Sequence, residues 1–362
     1  MQVGMQLLFQ NYQGERTDEE VYRNEVHLAE LAEPLGFDTV WGVEHHFFDY
    51  SMLPDNTQFL SYLAAKTSTI KLGTAAVILP WNDPLRVAEK MALLDHLSNG
   101  RAIYGMGRGL ARREYNAFDI DMNTTRERFD ESARMTCEAL ETGFIEGDGL
   151  FYKQPRTEIR PRPFKTFKDR LYAVAMSPDS VPICAELGAS MMIFAQKPWE
   201  DNLAHINDYR AQYSKFHSDA PKPVVAVDFM CCDESADKAE EMAHKYMAAY
   251  YLTVIQHYEM LSDHFKDTKG YSAYGGAADM LRDAGLEAAG KGFVEINSWG
   301  TPQMILDKMD ARRKIIGDFE LNIMCSYSGM PYADAEAGLR LFSQKVLPEL
   351  QSWGEDEARA AE

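Results

Sequence analysis

Short, unbroken apolar runs alternate along the chain with longer stretches in which apolar residues recur every three or four positions. The first pattern predicts strands buried on both faces, the second amphipathic helices packed over them. Strands are expected at residues 3–9, 37–43, 70–79, 101–106, 171–176, 190–195, 224–232 and 320–325. Helices are expected at 18–35, 56–69, 84–97, 125–142, 181–187, 199–216, 235–258, 303–316 and 333–350. Local punctuation agrees: Gly36 can end the first helix, Asn99-Gly100 stops the third, and Thr301-Pro302 offers an N-cap and a first-turn proline. Two segments break the rhythm. Residues 146–168, rich in Pro, Gly and Arg, read as an excursion from the core, and 261–299 as an inserted mobile loop with one helical piece.

Repeated β/α units with unalternated strands imply a parallel sheet covered by helices, and eight of them can close a (β/α)8 TIM barrel in the α/β class. An open, doubly wound sheet is the alternative that the same alternation allows. No period repeats and no linker divides the chain, so residues 1–362 are read as one domain with insertions and an acidic tail at 354–362.

The formal net charge of −19 argues against nucleic acid or an anionic membrane as the partner, so any anion must be held by local positive charge. Five cysteines, an odd number without C-x-x-C spacing, point to free buried thiols in a reducing compartment. The first residues read as a strand, not a leader, and no apolar run is long enough to span a bilayer. A cytoplasmic enzyme is expected.

In a barrel the chemistry lies where strands end. Strand two ends in Glu44-His45-His46, and adjacent histidines after a strand point in different directions, so at most one reaches the barrel mouth directly. Imidazole can hold or pass a proton near neutral pH, although a hydrogen-bonded core histidine is an equal reading of each taken alone. No further ligand in the sequence supports a metal site. Strand three ends in small residues, Gly73-Thr74-Ala75-Ala76, which let a flat ring approach the backbone or merely pack the core. Strand four runs into Gly105-Met106-Gly107-Arg108-Gly109-Leu110, a glycine-flanked arginine suited to an anion or to a surface turn. Strand five ends in Met176-Ser177-Pro178-Asp179-Ser180, with Ser177 as N-cap and Pro178 at the first helical position, and Arg126 can add a second positive charge. Together these junctions suit a planar, phosphorylated cofactor such as FMN.

The runs at 37–48 (FDTVWGVEHHFF), 72–110, 119–126 (DIDMNTTR) and 295–303 (EINSWGTPQ) resemble the bacterial luciferase-like family of flavin-dependent monooxygenases, over nearly the whole chain. The resemblance implies a two-component enzyme. Reduced FMN from a separate reductase reacts with O2 to a C4a-hydroperoxyflavin, which oxygenates a small, largely apolar substrate. It implies that His45 is the catalytic histidine and His46 its neighbour, and that Ala75-Ala76 is a non-proline cis peptide against the flavin ring. Glu44 and Leu110 line the ring on the same basis, while Arg108, Arg126, Ser177 and Ser180 hold the phosphate and Met176 stands beside it in place of a glutamate. The glycine-rich segment 261–299 matches the family's lid, and helices near the second and third strands its dimer contact. Gly107 stands where luciferases have a reactive cysteine and Ala195 where they have a tryptophan, which points to a reshaped pocket and away from light emission. A deazaflavin F420-dependent or flavin-dependent dehydrogenase or reductase and a non-catalytic partner subunit are the alternative family roles.

Overall fold

The computed structural model describes residues 1–353; the acidic tail expected at 354–362 lies outside the described residues. Eight parallel strands form the barrel: β1 (Val3–Leu7), β2 (Thr39–Gly42), β3 (Lys71–Thr74), β4 (Ala102–Gly107), β5 (Leu171–Val174), β6 (Ser190–Phe194), β7 (Val224–Cys232) and β8 (Phe319–Met324). They pair in sequence order, β8 returns to β1 through Met5↔Ile323, and β7 pairs both β6 and β8, so the sheet is closed. All eight fall within a few residues of the predicted runs. Each is buried almost throughout because helices cover its outer face and side chains fill its inner one. The open-sheet alternative is thereby excluded.

The helices start and stop where their caps dictate. Thr17 and Glu20 form a reciprocal capping box before Asp18–Leu31. Asp55 and Asp83 accept first-turn N–H groups of Asn56–Lys66 and Pro84–Leu97, and Gly143, at φ 78°, ends Thr125–Thr142 in the left-handed conformation. Trp41 fills the barrel below its mouth against the edge of Tyr172, at a ring separation of 5.0 Å. It fits only because Gly73 has no side chain: a Cβ there would lie 2.2 Å from the indole.

Both irregular segments carry more structure than the sequence pattern implied. The excursion holds an antiparallel hairpin, Phe144–Asp148 with Lys153–Glu158. The segment 261–299 is not a loop with one helical piece. It contains His264–Asp267, Ser272–Ala284 and Leu286–Ile296, followed by Ser298–Gly300, which adds in parallel to the end of β7. Its glycines read as breakers in sequence, yet Gly275 sits inside a helix where a Cβ would meet Lys266 at 3.0 Å, so it serves close packing. A buried cluster anchors the far end: Arg312 donates to both Asp228 oxygens, at 3.0 and 2.6 Å, and the Ser298 hydroxyl to the same carboxylate. Among the described residues no helix is long and apolar enough to cross a membrane.

Candidate functional site

A cavity opens at the C-terminal ends of the strands. Of the residues singled out from the sequence, Glu44, His45, Ala75, Ala76, Arg108, Leu110, Met176 and Ser180 line it. Ser177 and Arg126 stand directly behind: Arg126 Nη2 donates to Ser180 Oγ at 2.8 Å, and the two serine hydroxyls are 3.0 Å apart. His46 turns away. Its ring is wedged edge-on to Phe118, at a ring separation of 4.8 Å, and its Nε2 lies 3.2 Å from Glu44.

Glu44 is buried and satisfied by four groups. Trp81 Nε1 at 2.7 Å, Asn82 Nδ2 at 2.9 Å and His46 meet one oxygen, and the Ile78 N–H at 3.0 Å meets the other. The carboxylate therefore fastens the segment after β3 to the end of β2, which is how a buried acid is kept without a cation. That segment begins at the Ala75–Ala76 peptide, which is cis. Asn56 Nδ2 donates to the Ala76 carbonyl at 3.1 Å and to that of Gly42 at 3.2 Å, holding the small-residue shelf in place. Gly107 faces this shelf closely. A Cβ there would lie 2.9 Å from Ile78 and 3.1 Å from Ala76, so a side chain at this lining position would crowd the shelf.

The positive end is built from two strand ends and one helix. Arg108 Nη1 donates to the Gly270 carbonyl at 2.8 Å, and its guanidinium stacks 3.9 Å above the Tyr271 ring. Among the described residues no carboxylate lies within ion-pair distance of Arg108. Arg126 reaches Asp130 only at 3.4 Å, and its Nε is buried with no hydrogen-bond partner. Burial, and then the nearby Arg108 charge, pull the Arg126 pKa below its ordinary value. Two guanidinium groups, two hydroxyls and an orphaned N–H thus share one corner, which is the donor set of an anion site. Ser177 does not cap with its side chain, contrary to the sequence reading; its hydroxyl turns to Ser180 instead.

His45 is held by groups the sequence did not reveal. Its Nδ1 lies 3.1 Å from Glu114 Oε1, which also accepts the His46 backbone N–H at 2.8 Å. A carboxylate there accepts, so the imidazole proton sits on Nδ1 and Nε2 is left toward the Tyr258 hydroxyl at 3.4 Å. Glu114 lies on the short helix Arg112–Ala117, in a stretch too short to show periodicity. His257 stacks on Tyr50 at 4.1 Å, and burial above all pushes its pKa down to about 2, so it stays neutral. His45, Glu114 and His257 offer ligand atoms within 4.8 Å of one another, a trio that sequence spacing hid; Glu114 Oε1 is already taken by His45 and the His46 N–H. A second set of lining residues, Gln6, Phe229, Tyr250 and Phe293, was also missed. Gln6 alone had left a signal, a polar residue inside an apolar strand.

The luciferase-like monooxygenase family model matches residues 1–318. The alkanal monooxygenase alpha chain of Photorhabdus luminescens is 27% identical over 337 residues, covering 92% of each chain. The crystal structure of monooxygenase RslO1 from Streptomyces bottropensis superposes with a TM-score of 0.77 at 24% identity, covering 97% of this chain and all of that one. The oxygenating constituent of 3,6-diketocamphane monooxygenase from Pseudomonas putida, solved with FMN, gives 0.76 at 17% identity, covering 96% and 98%. A coenzyme F420-dependent tetrahydromethanopterin reductase from Methanopyrus kandleri gives 0.70 at 20% identity over 96% and 99%.

Proposed function

The chain belongs to the luciferase-like monooxygenase family, and from that premise we propose that it is a two-component flavin-dependent monooxygenase, using FMNH2 from a separate reductase and O2 to oxygenate a small, largely apolar organic compound. The observation that carries this reading is the corner formed by Arg108, Arg126, Ser177 and Ser180, whose donors outnumber the acceptors the protein offers them. Those four groups would hold the FMN phosphate. The Ala75–Ala76 shelf and Leu110 would bound its ring, and Glu44 would act indirectly by fixing the segment after β3. Reduced FMN supplies the two electrons that activate O2.

The remaining steps belong to the protein. Glu114 fixes the tautomer of His45, so that Nε2 can take a proton from the reacting centre and return it. His46 orients Glu44 and does not reach the cavity. The segment 264–274 closes over Arg108 through the Gly270 carbonyl and the Tyr271 ring, which keeps water from the reduced cofactor. A homodimer is proposed through the helices Asp18–Leu31 and Asn56–Lys66, between which Tyr22 and Tyr62 line an outer groove and stand exposed.

Oxygen uptake by the purified protein fed FMNH2, measured above the protein-free autoxidation of FMNH2, and a separate anaerobic assay of F420H2 turnover test the reading. Protein-dependent uptake with FMNH2 is expected. Anaerobic turnover of F420H2 with no FMNH2-dependent uptake would overturn it in favour of hydride transfer, and absence of both activities in a chain that binds no FMN would demote it to a non-catalytic partner subunit.

A further inference from the structure

The part of the cavity away from the arginines has a chemistry of its own, and the role assigned to it rests on the monooxygenase function proposed for this site. Phe229 on β7, Tyr250 on the helix Ala248–His257 and Phe293 on Leu286–Ile296 line the same space. Their ring centroids are 4.1 Å apart for Phe229 and Tyr250, 5.4 Å for Phe229 and Phe293, and 6.3 Å for Tyr250 and Phe293. Three elements thus contribute to one continuous aromatic wall. Ala195, at the end of β6, lines the cavity with only a methyl group and leaves room beside it.

Two of the three Asp, Glu, Lys or Arg residues lining the cavity are engaged within the protein: Glu44 takes four donors, and Glu114 takes His45 and the His46 N–H. The third, Arg108, belongs to the anion corner, and among the described residues lining the cavity no other such charge stands near the rings. Among the described lining residues one buried polar side-chain atom is unmet: Gln6 lines the cavity and accepts from Asn322 Nδ2 at 2.9 Å through its oxygen, while its Nε2, like the Asn322 Oδ1 of the same pair, has no partner. A buried donor left unpaired is unfavourable, and a ligand oxygen would satisfy it.

We propose that the oxygen acceptor is a flat, neutral, fused-ring aromatic compound carrying a ring hydroxyl or carbonyl, its faces against Phe229, Tyr250 and Phe293 and its oxygen on Gln6 Nε2. Such a ligand gains ring–ring contacts beyond simple area burial and freezes no rotatable bonds, whereas a long alkyl chain loses its rotamers and gains no such contacts. In the reaction one oxygen atom of O2 enters an aromatic C–H bond to give the C–OH product. The other leaves as water, and FMNH2 gives up two electrons and two protons to become FMN.

Equilibrium titration of the full chain, with and without FMN, with 2-naphthol, naphthalene, decanal and naphthalene-2-sulfonate tests this. At least a tenfold preference for 2-naphthol over decanal and the sulfonate is expected. Phe229→Leu with Phe293→Leu should lose about tenfold in 2-naphthol affinity, and Gln6→Leu should weaken 2-naphthol but not naphthalene. Ala195→Trp fills the slot without removing a core ring, and should abolish 2-naphthol binding in a chain whose FMN titration certifies its fold. Equal or tighter binding of decanal or the sulfonate, or undiminished 2-naphthol binding in Ala195→Trp, overturns the aromatic assignment. FMN titration and FMNH2-dependent oxygen uptake on the same preparation separate the two readings: loss of both with the 2-naphthol profile intact sinks the monooxygenase and leaves the aromatic compartment standing.

Discussion

The cavity has two ends built on different principles. The arginine end comes from strand termini and the first turns that come after them: Arg108 leaves β4, Ser177 and Ser180 follow β5, and Arg126 opens the helix Thr125–Thr142. Few backbone torsions separate Arg108, Ser177 and Ser180 from the barrel, so the fold fixes them directly, and the helix Thr125–Thr142 brings Arg126 back to them. The aromatic end draws Tyr250 and Phe293 from helices far along the chain, and they meet Phe229 only through packing between those elements and β7. The first end is polar, short-range and suited to a shared cofactor. The second is apolar, assembled in part from an insertion, and free to vary with the substrate. Recognition of the cofactor and of its oxygen acceptor are thereby separable in one cavity.

If the ends are separable, damage to one should leave the other intact. The largest expected effect is on the arginine end: Arg108→Met with Arg126→Met should raise the Kd for FMN by about 100-fold or more, since each charge-assisted hydrogen bond contributes roughly 1.5–3 kcal/mol. Isothermal titration of the double variant with FMN and with 2-naphthol checks this, and loss of both affinities together would break the separation. Next, His45→Ala should slow turnover on the order of 100-fold, within the range of general acid–base catalysis, while the FMN titration stays put. Glu114→Gln should act more weakly, about tenfold on kcat, and should change the shape of the pH–rate profile because the tautomer of His45 is no longer enforced. A profile superposable on wild type would remove Glu114 from the scheme.

The smallest effect lies outside both ends. Glu25 is buried beside Ser326 and the Phe9 N–H, and burial raises its pKa to about 7. A carboxyl whose pKa is raised by folding stabilises the native state fully below its unfolded value and loses that contribution as pH rises through the folded one. Glu320, raised to about 7 by burial beside Tyr172, acts in the same sense. Melting temperature should therefore fall by a few degrees between about pH 4.5 and 7. Glu25→Gln should flatten part of that fall without moving either FMN or 2-naphthol affinity.

The same contrast explains what could be read in the sequence. Strand runs and caps are local, so all eight strands were legible to within a few residues, and the helices Pro84–Leu97 and Thr125–Thr142 at both ends. The arginine end was legible for the same reason, as each group sits at a junction. Glu114 was not, because a helix of six residues has no period to detect. The helices of 261–299 were obscured by Gly275, Gly276, Gly290 and Gly292, which tertiary packing tolerates although local propensity disfavours them. Tyr250 and Phe293 were invisible as a pair because 43 positions separate them and nothing in the pattern brings their faces together.

The most direct measurement compares FMN with riboflavin, which has the same ring and lacks the phosphate. Fluorescence titration of the wild-type chain should give an FMN affinity at least 100-fold above that for riboflavin, and Arg108→Met with Arg126→Met should bring the two together. Equal affinities in the wild type, or an FMN preference that survives the double substitution, would contradict the assignment of the arginine end to the cofactor phosphate.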